Sequence, residues 1–315
     1  MSSDAAIVET DAAEGLPPSA RPSGRPSGRP SSGSWELQRR RLTLALMALP
    51  MICMALFFLA PLFTLLWMSF GGWSGEGFTL VHFRGVVEPV YLRLLYFTLR
   101  LAFFTTLACA LLAYPIAYLM VNLPGRYAQA MAITLFISLW LSFLARTFAW
   151  IIILQRNGVV NTILQTVGIT SGPLELVYNE VGVYIGMIHI LLPFMVITLI
   201  PSMKAIDPAY VRAALSLGAK PFQVFYQVYV PLSLPGLVAG SMLVFTLAFG
   251  FFVTPAILGG GRTPTIVLAV RDQIQKLGDL ELAAATSMVL LLICLVLLLI
   301  YDRIAGVDKL FDKGR

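Results

Sequence analysis

Apolar residues in this chain do not alternate with polar ones; they run together. Six long runs stand out, at 43–70, 94–121, 128–155, 181–203, 236–258 and 283–301. Each meets the length of roughly 20 residues, within a range of about 17–25, that a helix needs to cross a hydrocarbon layer about 30 Å thick. Inside such a layer every backbone polar group must be satisfied within its own segment, which favours helices. The pattern therefore predicts an all-α membrane protein with six transmembrane helices. Composition agrees. The 315 residues are 58% hydrophobic and 12% charged, with a mean hydropathy of +0.83. A soluble domain carries about 25% charged residues, so a water-soluble enzyme is excluded.

Residues 1–38 are a different material. They are rich in Ser, Pro, Gly and Ala and contain RPSGRPSGRP at 21–30. Such a stretch cannot bury a core and is expected to be a disordered tail. Acidic residues and prolines precede the first apolar run, so it does not read as a signal peptide. The remaining divisions are a first helix with its following loop at 39–93, a core domain at 94–305 and a short tail at 306–315.

The net charge of +6 changes the picture only through its placement. The basic residues lie between apolar runs without interleaved aromatics, which argues against a nucleic-acid partner. With the N-terminus inside, inner segments hold fourteen of the 22 Lys and Arg residues and outer segments six. The excess of basic residues marks the cytoplasmic side, so both termini are expected there. Arg21, Arg25 and Arg29 either touch anionic lipid or remain solvated. Cys53, Cys109 and Cys294 lie in apolar runs and suggest small hydrophobes, not a disulfide or metal framework. His82 and His189 are far apart, without an H-E-x-x-H pattern, and no phosphate-binding G-x-x-x-x-G-K-[ST] occurs. No catalytic residue, metal or cofactor is expected on this chain.

The segment 207–235, DPAYVRAALSLGAKPFQVFYQVYVPLSLP, is unlike an ordinary connection between spans. Asp207 suits an N-cap and Pro208 the first helical position. Gly218 suits a helix C-cap. Pro221 begins a second short helix, and Pro231 and Pro235 bound the chain before it re-enters the membrane. The physical reading is two short helices with a sharp bend, which alone could be a passive interfacial hairpin. The spacing is more specific: Ala213 and Ala214, then three residues, Gly218, nine residues, Val228, one residue, Val230 and Pro231. This resembles the EAA loop of binding-protein-dependent ABC importer permeases. Arg212 stands where that family has glutamate, which reverses a charge. The resemblance covers about residues 40–305 and implies that Arg212, Ala213, Ala214, Gly218, Ala219, Pro221, Val228 and Pro231 belong to the ATPase-coupling loop.

Two further stretches, LSFLARTFAWIIIL (141–154) and FVTPAILGGGRTPT (252–265), are similar to spermidine/putrescine permeases and their opine-related cousins. The resemblance implies a multi-pass permease in a bacterial cytoplasmic membrane, importing a polyamine such as putrescine or spermidine, with an opine or amino-acid derivative as the alternative cargo. It implies an ABC ATPase dimer that binds ATP and Mg, a second permease giving a heterodimer, and a periplasmic solute-binding protein. A channel or membrane scaffold stays open as a different class, although no selectivity ring is visible.

Ionisable residues within spans are costly and often functional. Here they are Arg100, Arg146 and His189. Arg146 and Trp150, four apart, share a face with Phe143 and Thr147. With Tyr184, His189, Phe252 and Thr254 they are candidates for a substrate path in which aromatic faces meet ammonium groups. The alternatives are a snorkelling Arg146 and an interfacial aromatic belt. A polycationic cargo sits uneasily with embedded arginines; a carboxylate cargo fits Arg146 better. Glu175, Glu180, Asp272, Asp279 and Glu281 lie in outer loops, where they either guide a cation or are simply solvated.

Overall fold

The protein is described by a computed structural model covering residues 32–73, 75 and 78–305. Of the expected tails at 1–38 and 306–315, residues 1–31 and 306–315 lie outside these described residues. The helices in chain order are α1 (Ser32–Ser69), α2 (Val81–Val86), α3 (Pro89–Asn122), α4 (Gly125–Trp140), α5 (Phe143–Leu154), α6 (Val159–Thr166) and α7 (Glu180–Lys204). They continue with α8 (Pro208–Ser216), α9 (Pro221–Val224), α10 (Val230–Phe249), α11 (Val253–Leu258), α12 (Ile266–Asp272) and α13 (Leu280–Ala305). No strand occurs among the described residues.

The chain divides into a unit ending at Ala60 and a second unit from Pro61 onward. The first holds most of α1, whose helix starts at Ser32, inside the expected tail. Its Leu46, Met54, Phe57 and Phe58 are exposed, as suits side chains facing lipid or another chain in a membrane. The second unit is organised around α3, α7 and α10, which pack against one another. Leu101, Ala102, Cys109, Ala113 and Ala117 of α3 are buried, as are Met187, Ile190, Leu191, Met195 and Leu199 of α7. The small residues on α3 allow close backbone approach, which matters where lipid gives no hydrophobic drive between helices. Gly240 of α10 does the same against α7, since a Cβ there would collide with Thr198 and Met195. Pro115, Pro193 and Pro201 lie inside α3 and α7 without ending them, as transmembrane helices permit.

Four of the six expected spans are single helices close to their predicted limits: α1, α3, α7 and α13. The other two need correction. The third, read as one helix over 128–155, is broken: α4 and α5 meet at Leu141–Ser142, and α4 is bent by 102° from the segment Phe143–Thr166 that α5 begins. No Gly or Pro marks the break. Its two halves follow different partners, α4 packing on α3 and α7, α5 on α7 and α11. The fifth, read over 236–258, starts earlier and stops at Phe249. The helix restarts as α11, which places Pro255 in a first turn, where its missing N–H costs no helical bond.

The loop reading also changes. Pro231 and Pro235 do not bound a separate short helix; Pro221–Phe249 is continuous enough to cross a membrane. A π-helical turn at Phe225–Tyr229 makes this possible, with the Val230 N–H reaching the Phe225 carbonyl five residues back. The widened turn accommodates Pro231, whose ring would otherwise strike the preceding turn.

Candidate functional site

Two clusters emerge, one beyond the C-terminal end of α7 and one beside its N-terminal half. The first is built from 207–233. Asp207 Oδ1 accepts the Ala209 N–H at 2.8 Å and starts α8. The helix ends in a bond pair typical of a left-handed glycine cap: Gly218 N–H to the Leu215 carbonyl at 3.0 Å and Ala219 N–H to the Ala214 carbonyl at 3.1 Å. Gly218 has a φ of +84°, which an L side chain adopts only at a cost. Gln223 Oε1 then accepts the Lys220 N–H at 2.8 Å, and Pro221 opens α9. The bend carries an exposed surface of Tyr210, Leu215, Leu217, Phe222 and Tyr226, with Leu217 88% exposed. Arg212, Ala213 and Pro221 are exposed beside it, while Val228 and Ala219 are half-buried.

Behind the bend lies an aromatic joint that sequence reading missed. Tyr118 of α3 meets Tyr229 edge-on at 4.9 Å and Phe225 at 5.4 Å. Tyr114 lies 5.7 Å from Phe225, and its hydroxyl is 2.7 Å from Ser233 Oγ. Asn122 donates to the Tyr229 hydroxyl at 3.2 Å. The signal was present in two four-residue ladders, 114, 118 and 122 on α3 against 225, 229 and 233. Nothing in sequence alone says that those faces meet. The joint ties the bend to the core through a π turn, and such turns recur at functional sites.

The second cluster gathers most of the candidate path residues at the broken span. The Arg146 guanidinium lies 5.0 Å over the Phe143 ring, and its Nη1 is 3.4 Å from Ser138 Oγ. Arg146 is only 4% exposed, and its Nε and Nη2 have no hydrogen-bond partner. Thr147, buried beside it, is 3.4 Å from the buried Thr254 hydroxyl. Trp150 stands edge-on to His189 at 5.5 Å, and His189 is within electrostatic reach of Arg146. Tyr184 and Phe252 fall apart from this core. Tyr184 groups with Arg100 and Glu180, and Phe252 is an exposed N-cap of α11.

The loop carboxylates are largely spoken for. Glu175 pairs with Arg156 at 2.7 Å, Glu180 with Arg100 at 2.5 Å, and Glu281 with His82 at 3.1 Å. Asp272 pairs with Lys276 at 2.7 Å and Arg271 at 2.8 Å, and these two cations hold its carboxyl below the usual range. Asp279 caps α13 through the Leu282 N–H at 2.8 Å. These acids brace loops and helix starts. Among the described residues, no three His, Cys, Asp or Glu side chains gather as a metal site.

No family model matches the chain. The spermidine/putrescine transport system permease protein PotB of Escherichia coli is 33% identical over 226 residues, covering 72% of this chain and 82% of that protein. The chain belongs to the permease family of ABC importers. A second relative, the inner membrane ABC transporter permease protein YdcU of Escherichia coli, is 27% identical over 283 residues, covering 83% of this permease and 89% of the relative. Among solved structures, a bacterial ABC transporter involved in the import of the acidic polysaccharide alginate superimposes with a TM-score of 0.72 at 20% identity. That superposition covers 86% of the permease and 98% of the alginate-transporter chain. The likeness supports the fold, including the all-helical core built from α3, α7 and α10.

Proposed function

We propose that this permease imports polyamines of the putrescine and spermidine type across a bacterial cytoplasmic membrane, with both termini in the cytoplasm. The relationship to PotB carries the cargo assignment. The distribution of Lys and Arg carries the orientation. The bend at 207–230 then lies on the cytoplasmic side, where α8 and the residues around Gly218 dock on an ATPase. Arg212, Ala213, Ala214, Gly218, Ala219, Pro221, Val228 and Pro231 form or support that docking element. The ATPase binds ATP and Mg, and this chain contributes no catalytic residue. The Tyr118–Phe225–Tyr229 joint passes ATPase closure to α3 and α10. The second cluster, Phe143, Arg146, Thr147, Trp150, His189 and Thr254, lies along the alternating-access path, with Tyr184 and Phe252 at its margins. A second permease, forming a heterodimer, and a periplasmic solute-binding protein complete the importer.

One observation favours a second reading of the cargo. Arg146 is a buried cation with no carboxylate paired to it among the described residues. An opine or other amino-acid derivative would supply one. The test is uptake of labelled putrescine and spermidine by cells with and without this gene, beside a panel of opines. Loss of polyamine uptake on deletion, restored by the gene, supports the first reading. Lost opine uptake with unchanged polyamine uptake selects the second. Unchanged uptake of every solute contradicts both.

A further inference from the structure

The break between α4 and α5 poses a problem that lipid cannot solve. Sixteen residues of α4 span about 24 Å at 1.5 Å per residue. A helix of that length falls short of crossing a hydrocarbon layer about 30 Å thick, so where α4 and α5 together make one span the break falls within the layer. There the last carbonyls of α4 and the first N–H groups of α5 lose their helical partners. Ser142, the N-cap of α5, makes no side-chain bond to that first turn. Leu141 and Ser142 are both exposed on the chain. Irregular backbone at membrane depth is tolerated only where protein or a water-lined cavity covers it. The break must therefore face the path or another subunit.

A second feature, independent of backbone geometry, points the same way. Helical side chains lean toward the N-terminus of their helix. Arg146, in the second turn of α5, accordingly leans back to the break. Its Nη1 approaches Ser138 on α4, and its guanidinium covers Phe143, the first residue of α5. Two of its nitrogens, buried and without a partner, remain. A buried cation without an anion is expensive. The positive end of α5 and a guanidinium with two unpartnered nitrogens lie about one helical turn apart, and the hydroxyls around it, those of Ser138, Thr147 and Thr254, carry no charge.

We propose that the break at Leu141–Ser142, with Arg146, is a carboxylate-binding site formed by the uncapped first turn of α5 and the guanidinium fork. The broken helix turns its dipole toward the anion, and the fork matches the two oxygens of a carboxylate. The carboxylate has two possible sources, a cargo or an acidic side chain of the second permease. The proposal rests on the importer reading above, because only an assembled importer places either one here.

The experiment uses the complete complex, purified with wild-type permease, with Arg146→Gln and with Arg146→Lys. Lysine keeps the charge but loses the fork, and it serves where the glutamine variant is not recovered. Two quantities are read: retention of the second permease on purification, and the thermal shift produced by ornithine against putrescine. These probes differ only in the carboxylate. A shift with ornithine and not putrescine, with apparent affinity weakened at least about tenfold in the recovered variant, assigns the carboxylate to cargo. No ornithine shift, with loss of the second permease in the variant, assigns it to the partner. A variant that matches wild type in both readings overturns the site. Failure of the wild-type chain to assemble with any ATPase or second permease would instead overturn the importer reading.

Discussion

Arg100 on α3 and Glu180 at the start of α7 are eighty residues apart in sequence, and their charged groups meet at 2.5 Å. The contact neutralises one of the embedded arginines and leaves Arg146 as the contrasting case. The pair is part-exposed, with side-chain exposures of 35% and 46%. Screening therefore limits its contribution to about 1 kcal/mol or less. Glu180→Gln is expected to lower the melting temperature of the detergent-solubilised permease slightly. A double-mutant cycle with Arg100→Gln should show positive coupling that fades in high salt. Coupling indifferent to salt would contradict the assignment.

Gly240 sets the distance between α10 and α7, because a Cβ at that position would strike Thr198 and Met195. Gly240→Val is expected to force the helices apart at a cost of about 1–3 kcal/mol. Gly240→Ala should cost less. Thermal unfolding of the purified chain ranks the three proteins, and a valine variant as stable as wild type would contradict the packing.

The aromatic joint makes a functional prediction. Tyr229 is buried between Tyr118, Phe225 and the Asn122 amide. Tyr229→Ala removes that ring without touching the exposed surface around Arg212 and Leu217. It is expected to leave ATPase binding near wild type while lowering uptake at least about tenfold, the size expected when about 1.4 kcal/mol of coupling is lost. Equal loss of ATPase binding would instead make the joint part of the docking surface.

These results also show what was legible in sequence. Long apolar runs gave the helical membrane fold, because run length is a direct consequence of bilayer thickness. Gly218 and Pro221 marked the bend, because their backbone preferences are local. The break at Leu141–Ser142 was hidden: it follows from where α5 finds its partners, and LWLSFLA reads as one apolar helix. Pro231 misled for the opposite reason, since a π turn at Phe225–Tyr229 absorbs a residue that ordinarily ends a helix. For the candidate path, four-residue spacing grouped Arg146 with Trp150. It could not show that Thr254 would arrive beside Thr147, or that Tyr184 would side with Arg100.

The most direct test of the central claim is ATPase capture by the permease with wild-type Gly218, Gly218→Asn and Gly218→Val. Nothing in the chain lies within 4 Å of a Cβ built at this position, so within the permease the substitutions act through backbone conformation, and asparagine controls for the bulk of a side chain at the docking surface. A φ of +84° is tolerated by asparagine and disfavoured for a β-branched residue. Docking through the bend predicts capture near wild type for asparagine and strong loss for valine, with both variants still folded in the membrane. Equal capture by all three would contradict a coupling role for 207–230.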